Sequence, residues 1–260
     1  MIKDVIEAIR SAARKMFTNW GALLISMLFY AALVAVFFHF FSAFRMATMA
    51  QVLSSVVIPI VAAIFFFFVL QAIGLSYVRI GVGPFYLLKR ALKDCWKLLL
   101  VSLPVILLAW LVIYLFDRAQ ATFFSESLTV ESPAREWIGV AVNWLRFCIL
   151  YIVLPLTAIH LWISTAREGV KTALKKFAGN MARALAPRSV LTYVLVVAVF
   201  GVIAHFLFFT KTPAKNEWME LWLLGARLAA ALLAVFLGWL LALGSLSELT
   251  ARREMNEVES

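Results

Sequence analysis

The sequence predicts an all-α polytopic membrane protein with six transmembrane helices, and three observations carry that reading. Hydrophobic residues fill 64% of 260 positions and charged residues only 15%, against roughly 25% charged in soluble domains. The apolar residues fall into six runs of the length that crosses a bilayer, about 20 residues each. Lys and Arg collect in alternate connections between those runs, as topogenic charge does. A soluble core of this size has no room for so much apolar surface, so the bilayer acts as the solvent.

Spans are expected near 20–42, 52–78, 98–116, 138–163, 190–210 and 221–247. The first holds an apolar run, Gly21–Phe41, longer than a signal-peptide core and preceded by an amphipathic segment; it reads as a retained anchor. The second, fourth and sixth are long and are expected to tilt or protrude. Pro59, Pro104 and Pro155 lie inside spans, where a kink is tolerated. Trp20, Trp96 and Trp162 mark one boundary; Trp137, Trp218 and Trp222 mark the other. Seventeen Lys and Arg residues fall on the side of the two termini and five on the other: Arg45, Arg118, Arg135, Lys211 and Lys215. The richer side is expected to face the cytoplasm, which places both ends there.

A degenerate threefold repeat runs through the single membrane domain 1–260, because a basic amphipathic segment precedes each odd-numbered span. In the first, Val5, Ile6, Ile9, Ala13, Met16, Phe17 and Trp20 oppose Lys3, Asp4, Glu7, Arg10, Arg14 and Lys15. In the second, Phe85, Leu88, Leu92, Cys95 and Trp96 oppose Lys89, Arg90, Lys93, Asp94 and Lys97. In the third, Val170, Ala173, Leu174, Phe177, Ala178 and Met181 oppose Lys171, Lys175 and Lys176. All three follow helical spacing. Thr165-Ala166-Arg167-Glu168 also echoes Thr250-Ala251-Arg252-Arg253, with Arg79 as a weaker counterpart. The expected units are 1–80, 81–167 and 168–253, followed by a tail, 254–260. Each unit is expected as an in-plane helix, an outward span, a short loop and a returning span. Lys89, Arg90, Lys93, Lys175 and Lys176 then either bind anionic headgroups of the inner leaflet or simply orient and brace the spans.

Ionisable groups within spans are few, and each is a functional candidate. Asn143 and Arg146 lie three apart on one face of span four, and Arg227 lies about two turns into span six from the same side. Arg146 and Arg227 either form a cationic pocket for an anionic headgroup or solute, or snorkel and pair with loop acids such as Glu136, Glu217 and Glu220. His39, His160 and His205 are scattered over three spans, and no metal-ligand spacing or disulfide framework involves Cys95 or Cys148. Gln71 and Ser76 suit hydrogen bonding between helices. Ala226, Ala230, Ala234, Gly238 and Ala242 put a small residue at every fourth position of span six. That stripe permits close helix approach, within the chain or against a second copy.

Hydrolase motifs, paired acids and a phosphate-cradling Gly-rich loop are missing; Gly81-Val82-Gly83-Pro84 reads as a turn. No deep carboxylate points to ion-coupled transport. The net charge of +10 is distributed between apolar runs, so it points to an anionic lipid surface and not to nucleic acid. Segments such as Ala91-Leu92-Lys93-Asp94-Cys95-Trp96-Lys97 give the chain a resemblance, over its whole length, to the six-helix bacterial inner-membrane proteins of the YciC type. It is also similar in plan to the membrane domain of some glycerophosphoryl diester phosphodiesterases. The resemblance implies a six-span architecture in a bacterial inner membrane and supplies no active site. The expected function is non-enzymatic and cofactor-free: engagement of anionic lipids or partner proteins at the cytoplasmic leaflet. The alternative is a passive transporter or channel for a small or anionic solute.

Overall fold

The computed structural model describes residues 1–42, 48–77, 83–125, 133–210 and 216–259. Arg45, Arg79, Gly81, Val82, Lys211 and Lys215 lie outside the described residues, as do the side chains of Arg135, Glu136 and Arg253. Among the described residues there is no strand, and six helices are long and apolar enough to cross a membrane. They run Trp20–Ser42, Met49–Ser76, Pro84–Ala121, Trp137–Glu168, Pro187–Phe209 and Glu217–Arg252. The chain is an all-helical, multi-pass membrane protein.

The elements are α1 (Ile2–Thr18), α2 (Trp20–Ser42), α3 (Met49–Val52), α4 (Ile58–Tyr77), α5 (Pro84–Ser125), α6 (Pro133–Cys148), α7 (Leu154–Glu168), α8 (Val170–Lys175), α9 (Phe177–Ala184), α10 (Pro187–Phe209) and α11 (Glu217–Glu259). Widened π turns, Leu53–Val57 and Ile149–Val153, join α3 to α4 and α6 to α7. Each sits just before a proline, Pro59 or Pro155, whose ring lacks an N–H and crowds the carbonyl four residues back. That carbonyl belongs to Ser55 or Tyr151, inside the widened turn. Pro104 is accommodated without one, and α5 runs on unbroken.

Local chemistry decides which basic segment becomes a separate helix. Asn19 leaves helical geometry (φ −106°, ψ 70°) and its Oδ1 accepts a hydrogen bond from Ala22 N at 3.2 Å, so α2 starts as a separate helix. Gly169 (φ 86°) ends α7 in the left-handed region that favours glycine, and α8 and α9 fold back onto α7. Between Phe85 and Leu100 no Gly or Pro intervenes. The second segment is therefore no separate in-plane helix: it forms the first turns of α5, whose 42 residues extend about 63 Å at 1.5 Å per residue.

Contacts group the chain into two compact units, Met1–Leu98 with Leu191–Ser260, and Leu99–Val190. In the first, α2 lies along α4, α4 meets α11, and α1 packs on the last half of α11. The N-terminal helix and the end of α11 therefore share one side. Met16, Ala22, Leu23, Leu70, Leu87, Phe236 and Leu240 form its buried cluster. Tyr30 stacks on Phe236 with ring centroids 4.9 Å apart. Trp239 Nε1 donates to Oε1 of buried Gln71 at 2.7 Å, a hydrogen bond between spans.

Because lipid is as apolar as leucine, close van der Waals contact holds such helices together more than apolar burial does. Gly238 shows this directly: a Cβ there would lie 2.6 Å from Phe200 Cβ. Likewise, a Cβ on Gly244 would lie 3.2 Å from Ala12 Cβ.

In the second unit, α7 is buried at nearly every position from Leu154 to Thr165. Trp162 Nε1 donates to Ser102 Oγ on α5 at 2.7 Å. The α8–α9 break at Lys176 (φ −92°, ψ 21°) leaves the Ala173 carbonyl to Nδ2 of buried Asn180, 3.3 Å away.

Overpacking tests the close approach at Gly238. Gly238→Val is expected to lower stability in mild detergent by about 1–3 kcal/mol, with partial recovery when Phe200→Ala is added. Gly225→Val, where nothing lies within 4 Å of the new Cβ, should stay within about 0.5 kcal/mol of wild type. Thermal unfolding followed by tryptophan fluorescence reads all three.

Candidate functional site

Helix α1 carries three distinct stripes. Val5, Ala8, Ala12 and Met16 are buried, on the face that meets α11. The next stripe round is apolar but exposed: Ile2, Ile6, Phe17 and the following Trp20 are all about half or more accessible. Beyond it lie Lys3, Arg10 and Arg14, exposed and without an ion-pair partner among the described residues. The remaining polar positions lock α1 to α11. Lys15 Nζ and Ser11 Oγ both donate to the Glu248 carboxylate, which is only 8% exposed. Arg252 pairs with Glu7 at 2.9 Å.

The start of α5 repeats the same order of stripes. Leu87, Ala91 and Leu98 are buried. Phe85, Leu92 and Trp96 form an exposed apolar stripe, and Lys89 and Lys93 stand beside it, exposed and unpaired among the described residues. Arg90 and Lys97 both pair with Asp94.

The third basic segment is built differently. Ala173, Asn180 and Ala184 are buried, on a helix pair that packs against α7. Lys176 pairs with Glu168 at 2.9 Å while Lys175 is exposed. Lys89, Lys93 and Lys175 thus keep their charge available, whereas Arg90 and Lys176 are engaged by acids of their own neighbourhood.

The two intramembrane arginines have unlike surroundings. Arg146 Nη1 lies 2.8 Å from Asp117 Oδ1, and Gln120 Nε2 donates to Asn143 Oδ1 at 2.8 Å. Asp117 and Gln120 are three apart on α5; Asn143 and Arg146 are three apart on α6. The two helices therefore meet through a matched pair of polar contacts. Sequence reasoning found one half of this clamp and named the loop acids as partners. The other half was signalled only by Asp117 and Gln120 sharing the same three-residue spacing. Arg227 belongs to the other unit. Its Nε donates to the Leu223 carbonyl at 3.3 Å, and its Nη1 is buried without a hydrogen-bond partner among the described residues.

Comparison with protein-family models, curated proteins and solved structures yields no match. The chemistry is read from these side chains alone. Among the described residues, His160, buried on α7, leaves its Nε2 unpartnered, as does nearby Ser164 its Oγ. His205 sits against Phe209 with ring centroids 4.6 Å apart. Within the small-residue stripe, Ala226 is exposed and Ala230 half-buried, while Ala234, Gly238 and Ala242 are buried. Ala226 also borders an apolar hollow of about 500 Å³ with Trp218, Leu221, Trp222, Gly225 and Ala229.

Two stability measurements follow. Glu248→Ala strands Lys15 beside α11 and should cost about 1–3 kcal/mol. Glu7→Ala, which breaks an exposed pair, should cost under about 1 kcal/mol. A double-mutant cycle of Asp117→Asn with Arg146→Gln should return a coupling of about 0.5–1 kcal/mol. Reversible unfolding in mixed micelles measures both.

Proposed function

We propose that the protein engages anionic lipids at the cytoplasmic leaflet through the basic stripes of α1 and of the start of α5, without catalysing a reaction. The observation that carries this reading is the shared order of faces: a buried seam, an exposed apolar stripe, then unpaired cations. An exposed apolar stripe takes acyl chains at the membrane boundary, and neighbouring Lys and Arg side chains reach the phosphates above them. Lys3, Arg10, Arg14, Lys89 and Lys93 serve that contact; each adds on the order of 1 kcal/mol near an anionic surface.

On this reading the termini and the basic segments face the cytoplasm, the side of charge excess. The recurrence of one face order in α1 and α5 also supports descent of the chain from repeated two-span units. The α8–α9 segment, packed on α7, takes the bracing role within that scheme.

Purified protein floated with liposomes and examined by native mass spectrometry tests the proposal. Anionic phosphatidylglycerol should be retained over phosphatidylcholine, with retention falling as salt rises. Lys3→Ala, Arg10→Ala and Lys93→Ala combined should reduce that preference at least tenfold. Equal retention of both lipids by wild type, or flux of a small anion through the reconstituted protein, would instead favour a passive transporter.

A further inference from the structure

We infer that Arg227 is a seat for a phosphate group in the half of the membrane opposite the basic helices. Arg227 lies ten residues from the start of α11 at Glu217, about 15 Å along the axis. Trp218 and Trp222, both largely exposed, stand between it and that end, as interfacial aromatic residues do. Arg227 follows Trp222 by about one and a half turns and Trp218 by about two and a half, inside the apolar span Glu217–Arg252.

The contrast with Arg146 defines the site. Arg146 has a carboxylate 2.8 Å away. Arg227 has no acidic partner among the described residues; its one hydrogen bond goes to the carbonyl of its own preceding turn, Leu223 O. Its Nη1 is shielded and unpartnered. A buried donor left unsatisfied costs about 1–3 kcal/mol, and more when charged. A guanidinium in hydrocarbon is therefore stable only with an anion or a path to the surface.

Direction and access support an incoming ligand. Helical side chains lean toward the helix N-terminus, and the bond to Leu223 O confirms that lean for Arg227. The guanidinium is thus drawn toward the membrane surface at the start of α11. Helical spacing sets Arg227 on the face of buried Ala231, Ala234 and Gly238 and away from the apolar hollow around Trp222. Nη1 is shielded but the side chain as a whole is only half-buried, so a headgroup reaches the guanidinium from its open side. A planar guanidinium with several free donors suits a tetrahedral oxyanion, which is a lipid phosphate or a free phosphate ion.

Native mass spectrometry of protein purified in a maltoside detergent tests this. Wild type should keep one more phospholipid than Arg227→Gln, while Arg227→Lys keeps it at reduced occupancy. Arg146→Gln, which disturbs a paired arginine, should leave the count unchanged. In a second arm, delipidated protein receives short-chain phosphatidylglycerol, its diacylglycerol analogue or inorganic phosphate. A thermal shift with the phospholipid alone assigns a lipid phosphate; an equal shift with inorganic phosphate assigns the free ion. An unchanged lipid count in Arg227→Gln together with the same thermal response as wild type overturns the inference. If Arg227→Gln does not fold, Arg227→Lys decides: phospholipid loss on detergent dilution at least threefold faster than wild type upholds the seat, and an equal rate overturns it.

Discussion

A charge taken out of water has to find a partner, and that constraint organises much of what the chain does with its polar residues. Glu248 shows the tightest case. It lies near the end of α11, is almost fully buried, and accepts hydrogen bonds from Lys15 and Ser11 of α1. Its burial requires α1 to stay in place, and α1 in place presents its exposed stripe outward. Removal of one partner would leave the other desolvated, which is far more costly than losing an exposed pair. The ion pair therefore fixes the orientation of the first helix more than it adds net stability.

The same constraint acts on backbone groups, and short local signals settle how each basic segment meets it. Asn19 supplies a side-chain acceptor to Ala22 N, so α2 can start there with one of its orphaned donors satisfied. Gly169 allows the sharp reversal after α7, and Asn180 covers a carbonyl opened by the break between α8 and α9. The second segment holds no such residue, so the helix propagates from Pro84 through the span. Three segments with similar charge patterns consequently reach three outcomes: a docked helix, a helical extension and a folded-back pair.

Much of this architecture is legible in the sequence because the bilayer simplifies the code. Span number and position follow from apolar run length, and the six helices lie where the hydropathy places them. The buried face of the first segment was readable in part, as Val5 and Met16 illustrate, but the buried seam of the second, Leu87, Ala91 and Leu98, lies outside the predicted face of Phe85, Leu88, Leu92, Cys95 and Trp96. What spacing alone does not report is which apolar stripe docks and which stays exposed: Val5 is buried while Ile6 is not, although both belong to the predicted apolar face. Pairing between helices is equally hidden. Arg146 and Asn143 were recognisable as a pair on one helix, but Asp117 and Gln120 become their partners only through the antiparallel register of α5 and α6. Helix continuity was misread for the second segment because charge suggested a boundary that the backbone, rich in good helix formers, does not need.

The polar side chains within the spans bear on the two proposed functions. A solute path requires polar groups that face a common wet channel. Here Gln71 is bonded to Trp239, Ser102 to Trp162 and Gln120 to Asn143, while Ser26, Thr157, Thr165 and Ser245 return their hydroxyls to carbonyls of their own helices. These groups act as contacts between helices or within one helix, while His160, Ser164 and Arg227 each keep a buried polar atom without a partner among the described residues. Lys3, Arg10 and Arg14 on α1 and Lys89 and Lys93 on the first turns of α5 behave in the opposite way: they stand exposed beside exposed aromatic and aliphatic side chains. Retaining apolar surface next to unpaired charge disfavours a water-facing helix and favours one at a lipid boundary, where both halves of the pattern are satisfied at once. The proposed lipid engagement would account for the exposed stripe and the charges together, which a solute path by itself does not require.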